Sequence, residues 1–333
     1  MVWPVSVISQ ASVATPLVSI LVPAYNAERY VGQAVESALE QTYPHVEVVV
    51  VNDGSTDGTR DVLAPYEARG VRVVDQPNAG QCAAANRAFR ESRGDLVKFF
   101  DADDVLAPDH VARQVARLGD RRDAVALGEW ARFTGDDPTQ ADFRPLRMYR
   151  DADPVDWLAT EWVGARPMMQ CALWLIPRGV LGRSGLWDER LSLINDFEFF
   201  SRVLLAASDV LYTPGARLHY RSGLDASLSG RKSRAARESQ MLSLTLGTQH
   251  LLDAEDSPRT RRAAAHVLQD FVYDVYPEHP DLRARAAARV ADLGGSDLAP
   301  DGPPGFHRLR RLVGWKLARR VERAVSSRRH PAS

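Results

Sequence analysis

Val46-Glu47-Val48-Val49-Val50-Val51-Asn52-Asp53-Gly54-Ser55 is a nearly continuous β-branched run that stops in a cluster of turn formers. Such a run lacks the in-and-out alternation of a half-exposed strand and marks one covered on both faces, an interior parallel strand. Before it, Val18-Ser19-Ile20-Leu21-Val22 is a second apolar strand expected to stop at Pro23, and Tyr30, Val31, Ala34, Val35, Ala38 and Leu39 recur at helical spacing. After it, the turn residues from Asn52 to Thr59 lead into a helix through Val62, Leu63 and Tyr66. Val71-Arg72-Val73-Val74 is a third strand, Cys82 to Arg90 a third helix behind the Asn78-Ala79-Gly80 turn, and Leu96 to Phe100 a fourth strand. Strands alternating with helices at this spacing imply βαβ units, hence an α/β fold with a mostly parallel sheet flanked by helices.

The 333 residues are 45% hydrophobic and 26% charged, proportions of a soluble globular protein with room for one large domain and an appendage, or for two domains. A formal net charge of -1 provides no global field to attract nucleic acid, so no nucleic-acid partner is expected and any anionic ligand must be met locally. Cys82 and Cys171 lie far apart without metal-site spacing, which suits a reducing, cytoplasmic setting. No apolar run reaches the roughly 18 residues of a membrane-spanning helix, and residues 1–17 read as an N-terminal tail without a signal-peptide pattern.

The fourth strand delivers Val97-Lys98-Phe99-Phe100-Asp101-Ala102-Asp103-Asp104 to the sheet edge, with three acids in four positions. Ligands of open α/β sheets bind outside the carboxyl ends of the strands, and carboxylates crowded there call for a cation such as Mg²⁺ or Mn²⁺ held together with phosphate oxygens. An isolated D-x-D is more often a helix-capping loop. Here Asp53 ends the second strand at the same edge, and the combination suits a ribose or base beside a metal-bound diphosphate. Neither a P-loop nor G-x-G-x-x-G is present, so phosphate would be held through the metal. Further on, a helix from Pro108 to Leu118, a strand from Ala124 to Glu129, an irregular excursion from Thr134 to Pro154, a strand from Ala172 to Ile176 and a helix from Asp196 to Ala207 are expected. From Arg231 the chain turns to Ala/Arg-rich helix, placing a boundary near Gly230 between residues 18–230 (halves 18–107 and 108–230) and a helical extension, 231–333.

Four segments in this order and spacing, Val18 to Glu28, Val50 to Thr59, Asn78-Ala79-Gly80 and Phe100 to Asp104, resemble the family 2 glycosyltransferases of GT-A fold. The resemblance is close over the first third of the chain and looser as far as Ser229. It implies transfer, with inversion, of a sugar from a nucleotide-diphosphate donor, most often UDP-linked, to the hydroxyl of a glycan, glycolipid or small-molecule acceptor. Carried onto this sequence, it implies that Pro23, Ala24, Tyr25 and Glu28 line the nucleoside pocket and Asp53 faces the base. Asp101 would lie near ribose and metal, and Asp103 would ligate Mn²⁺ or Mg²⁺. Leu193 to Arg202 resembles the segment in which an acidic pair opens a helix and its Asp acts as base, so Asp196 inherits that role, with Asn195 where the family often has Glu. Two other readings stand beside it: Asp196 as N-cap of its helix, and Glu198, turned about 200° away, as the base. His219-Tyr220-Arg221 is similar to a segment closing over the donor phosphates, which implies Arg221 on the diphosphate and His219 in the metal shell; a surface Arg and a structural His are the plainer alternatives. Trp174 and Trp187 read as core, and Lys98 as a counter-charge beneath the acids. Asn195 leaves open a non-catalytic nucleotide-sugar-binding or scaffold protein of the same fold.

From Phe306 on, Leu309, Leu312, Val313, Leu317, Val321 and Val325 recur at helical spacing among seven basic residues from Arg308 to Arg323. Such a basic amphipathic helix packs on the body with its charges outward, forms a homodimer contact, or lies peripherally on the anionic inner face of a membrane. The packed helix is the expectation.

Overall fold

The fold comes from a computed structural model that describes residues 15–164, 169–224 and 233–329. Strands β1 (Val18–Ala24), β2 (Val46–Asp53), β3 (Arg72–Gln76) and β4 (Leu96–Phe99) form a parallel half-sheet in the order β3-β2-β1-β4. Helices α1 (Val31–Leu39), α2 (Thr59–Glu67) and α3 (Gln81–Glu91) make the crossovers. Val48 to Val51 of β2 are almost wholly buried, as a strand covered on both faces requires, each stabilising the fold by about 1.5–3 kcal/mol over an exposed side chain. β1 runs two residues beyond Val22, through the Pro23 expected to end it. Leu21 accepts from the Phe100 N–H, so Leu21, and by alternation Pro23, turn their backbone groups toward β4. β4 has ended at Phe99, and the N–H that proline lacks has no strand to meet there.

The chain continues through β5 (Val105–Leu106), α4 (His110–Leu118), β6 (Val125–Phe133), α5 (Pro154–Glu161), β7 (Trp174–Pro177), α6 (Arg178–Ser184), α7 (Asn195–Leu205) and β8 (Val210–Arg221). β7 is antiparallel to β4 and β6, while β8 is parallel to β6 and antiparallel to β5. The eight-stranded sheet, β3-β2-β1-β4-β7-β6-β8-β5, is therefore parallel in its first half and mixed in its second. β8 escapes a reading by alternation because Thr213-Pro214-Gly215 interrupts it, opposite a register shift between Leu127 and Glu129. Trp174 and Trp187 are core residues, as expected; Trp187 stacks on Phe199 at 3.8 Å.

Helices α8 (Arg234–Ala254), α9 (Pro258–Val275), α10 (Pro280–Asp292) and α11 (Pro304–Arg329, interrupted at Gly314) form the C-terminal extension. α8 lies so close along α7 that a Cβ at Gly247 would stand 2.5 Å from the Phe197 ring. The expected boundary at Gly230, the Ser227-Leu228-Ser229 segment and residues 1–14 of the expected tail lie outside the described residues. Pro16 and Leu17, the end of that tail, are tied to the body: the Tyr43 hydroxyl donates to the Pro16 carbonyl and the Leu17 N–H to Asp95.

Candidate active site

After β4 the chain leaves the sheet through Asp101-Ala102-Asp103-Asp104 and returns as β5. This turn brings one oxygen from each of Asp101, Asp103 and Asp104 within 4.8 Å of one another. Asp104 is fully buried and held from both sides, by the Arg221 backbone N–H and by Gln170 Nε2, each at 2.8 Å. Gln170 Nε2 also donates to Asp101, and Gln81 Nε2 donates to the other Asp101 oxygen, both at 3.1 Å. Among the described residues no side chain donates to the Asp103 carboxylate. Burial, reinforced by repulsion from Asp101, pushes the Asp103 carboxyl up to about 7. Burial raises Asp101, and burial with repulsion from both neighbours raises Asp104. Hard carboxylate oxygens that repel one another in this way fit a divalent cation of the Mg²⁺ or Mn²⁺ type.

Across from the turn, α7 begins behind Ile194, which adopts left-handed φ 56°, ψ 32°. That conformation costs roughly 1–2 kcal/mol for an L-residue and more for a β-branched one. The extension holds it there. Ser243 Oγ donates to the Ile194 carbonyl at 2.5 Å, and Ser239 Oγ accepts from the N–H groups of Ser192 and Leu193. Ile194 is the N-cap and makes no side-chain capping bond, so the alternative of Asp196 as cap does not hold. The half-buried Asp196 carboxylate has no hydrogen-bond or ion-pair partner among the described residues. Burial and the nearby Asp101 carboxylate raise its pKa well above the usual range. Asn195 fastens this segment to α3: its Nδ2 donates to Gln81 Oε1 and Cys82 Sγ at 3.2 Å, and its Oδ1 accepts from the Asp196 N–H. Gln81 thus bridges the start of α7 and the acidic turn. Glu198 points elsewhere, into bonds with Arg202 Nε (2.5 Å) and His250 Nε2 (3.0 Å), and is not available as a base at this site.

The loops after β1 and β2 are sewn together. Asn26 N–H donates to Ser55 Oγ, Thr56 N–H to Asn26 Oδ1, and Gly58 N–H to the Glu28 carboxylate at 2.6 Å. Tyr25 stands 47% exposed at the rim, Ala24 is buried, and Pro23 shares with Gln81, Asp101, Trp187 and Asn195 a cavity of about 10 Å³. That is room for one water, so a nucleotide ligand would lie in the open cleft outside it. Asp53 is placed differently from the expectation that it faces a base. It is 2% exposed, and its oxygens accept from Gln76 Nε2 (2.7 Å) and the N–H groups of Ala79 and Gly80 (2.9 Å each), shaping the 78–80 turn. Gly54 permits this approach: it has φ 68°, and a Cβ there would lie 2.6 Å from the Asn78 nitrogen.

Three further expectations are corrected by position. Arg221 is buried between the rings of Tyr30 and Phe133, and its guanidinium donates to the Asp103 and Gly135 carbonyls and to Gln33 Oε1. It ties the acidic turn to the loop after β6 instead of presenting a free cation to phosphate. His219 does not join the three acids; its Nδ1 lies 2.8 Å from the Pro138 carbonyl and its ring packs edge-on against Phe143. Lys98 is buried and donates to the Ala172 and Trp174 carbonyls rather than to the acids, and burial lowers its pKa to about 7. Sequence reasoning missed Gln81, Gln170, Ser239 and Ser243. Gln81 carried a signal, its place directly after the Asn78-Ala79-Gly80 turn; the other three carried none.

Residues 19–166 match the family model of "Glycosyl transferase family 2". The "Putative teichuronic acid biosynthesis glycosyltransferase TuaG" of Bacillus subtilis is 38% identical over 137 residues, 40% of this chain and 52% of that protein. The "Putative glycosyltransferase EpsH" of the same organism is 36% identical over 121 residues, 36% of this chain and 35% of that protein. This chain thus spans about half or less of the length of these relatives. In fold it is similar to Staphylococcus aureus TarS 1–349 (TM-score 0.65, 18% identity, covering 92% of this chain and 91% of that one), which has also been solved with UDP-GlcNAc and with UDP. The mannosyltransferase PcManGT of Pyrobaculum calidifontis, solved with GDP-Man and Mn²⁺, is similar over 93% of this chain and 87% of that one (TM-score 0.53, 19% identity). The GT-A architecture expected from the sequence is the one these structures share.

Proposed function

We propose that this chain, which belongs through residues 19–166 to glycosyl transferase family 2, transfers a sugar from a UDP-sugar to an acceptor hydroxyl with inversion, in the assembly of a glycan or glycolipid. The observation that carries the reading is Asp196, a half-buried carboxylate without a partner among the described residues, set beside the Asp101-Asp103-Asp104 turn at the carboxyl ends of the parallel strands. The relatives named as glycosyltransferases and the UDP complexes of TarS support the donor class.

Asp101 and Asp103 would hold Mg²⁺ or Mn²⁺, with Asp104 fixed behind them by Gln170 and Arg221. When bound, the ion stabilises the negative charge that a diphosphate leaving group gains as the glycosidic bond breaks. Pro23, Ala24, Tyr25 and Glu28 form the nucleoside side of the cleft, and Asp53 shapes its floor through the 78–80 turn. Asp196 takes the proton of the acceptor hydroxyl as that oxygen attacks the anomeric carbon; its raised pKa makes it a stronger base than an exposed carboxylate. Asn195 orients it through the Asp196 N–H, a use for this residue that does not need a second acid.

Calorimetric titration with UDP, GDP, dTDP and CDP, each with and without Mn²⁺, tests the donor half. Metal-dependent binding of UDP is expected. Absence of binding by all four would overturn the reading.

A further inference from the structure

Most of the apolar stripe of α11 does not pack, Leu309 alone of its six residues being partly buried. Phe306 and Ala318 are buried and Trp315 rests against Tyr273 and Tyr276 of the α9 end, so the helix is anchored by a different face from the one its sequence suggested. Leu312, Val313, Leu317, Val321 and Val325 stand in solvent, Leu312 at 83% exposure. They are the greater part of the large exposed hydrophobics among the described residues. Leu317, Val321 and Val325 are spaced i, i+4, i+8 and share one side of the helix.

The charges beside them are distinctive. Most arginines of the body are ion-paired, and within α11 Arg319 and Arg323 pair with Glu322 and Glu278. Arg308, Arg311, Lys316 and Arg320 have no ion pair among the described residues, and all four are exposed. Glu322 is the only acid between Pro304 and Val325. A chain of formal net charge -1 therefore gathers uncompensated cations beside exposed apolar residues on both sides of the Gly314 break.

We infer that α11 is a docking element for a lipid bilayer bearing anionic headgroups, with Leu312, Val313, Leu317, Val321 and Val325 entering the headgroup and acyl boundary and the four unpaired cations meeting lipid phosphates. Charge complementarity selects this occupant. In a two-fold contact with a second copy the stripe would meet itself and set like charges face to face. A nucleic acid would satisfy the cations but leave the apolar row in water. A bilayer satisfies both, since an interfacial helix is held by apolar burial together with attraction to acidic lipid. The inference is independent of the proposed transferase activity.

The test is co-sedimentation of the full chain with vesicles of phosphatidylcholine alone and of phosphatidylcholine with phosphatidylglycerol. Binding only to the acidic vesicles, lost as salt is raised, is expected. Each basic residue near an anionic surface contributes about a fivefold change in partitioning, so the triple variant R311S/K316S/R320S should bind roughly a hundredfold more weakly. L317S/V321S should lose at least about tenfold, and both variants should keep the wild-type melting temperature because the altered side chains are exposed. No binding to acidic vesicles, or binding that neither variant weakens, overturns the inference. So does light scattering that shows a dimer abolished by L317S/V321S, which would assign the face to a second copy.

Discussion

Replacing Asp103 by Asn should stabilise the metal-free protein at neutral pH. The folded state raises the Asp103 carboxyl from 3.8 to about 7, so between these values the folded chain holds a proton that the unfolded chain has released. More protons bound in the folded state means that stability falls as pH rises: the cost begins near pH 4, grows through pH 7 and then levels off. A shift of this size corresponds to about 4 kcal/mol, and solvent reaching the half-buried side chain reduces it to about 2 kcal/mol. Asn keeps the volume and removes the charge, so in EDTA at pH 7.5 the variant should melt about 4 °C above wild type, taking roughly 2 °C per kcal/mol for a chain of this size. At pH 4 the difference should vanish. Adding Mn²⁺ should raise the wild-type melting temperature and leave the variant unmoved. A variant less stable than wild type in EDTA at pH 7.5 would refute the reasoning, because Asp103 would then be holding the turn together instead of standing there at a cost.

Asp196→Asn should retain UDP affinity within about twofold and lower turnover by at least about a hundredfold, measured by calorimetry and UDP release on one preparation. Ser243→Ala removes the bond that holds Ile194 in its left-handed conformation; about 1 kcal/mol of stability and about tenfold in kcat should be lost, with donor affinity unchanged. Gly54→Ala places a Cβ 2.6 Å from the Asn78 nitrogen at a φ of 68°, so a loss of at least about 2 kcal/mol in urea unfolding is expected, accompanied by weaker donor binding as the 78–80 turn shifts.

The parallel half of the fold was legible because β1, β2 and β4 are largely buried on both faces and the runs of its strands end in recognisable turns. The acidic turn was legible for the same reason, since Asp101 to Asp104 follow directly on a buried strand. What the sequence could not announce was how the side chains spend their hydrogen bonds. Arg221 looked like a phosphate ligand but is consumed by the Asp103 and Gly135 carbonyls, and the His219 ring is taken up by the Pro138 carbonyl and the Phe143 ring. Gln81 and Gln170 belong to the site through contacts spanning 20 and 69 residues respectively, and Ser243 acts on Ile194 from another helix, separations that no local pattern encodes. In α11 the expected helical spacing is interrupted at Gly314 and most of its apolar residues are exposed, because an apolar stripe specifies burial without saying what buries it.

The proposed reaction is a direct inverting displacement, and the configuration of the product tests it most directly. Proton NMR of the sugar first released when the enzyme turns over an α-linked UDP-sugar in Mn²⁺, with water or an acceptor hydroxyl as nucleophile, should show the β anomer, and Asp196→Asn should show no release. An α product, or unchanged release from Asp196→Asn, would contradict it.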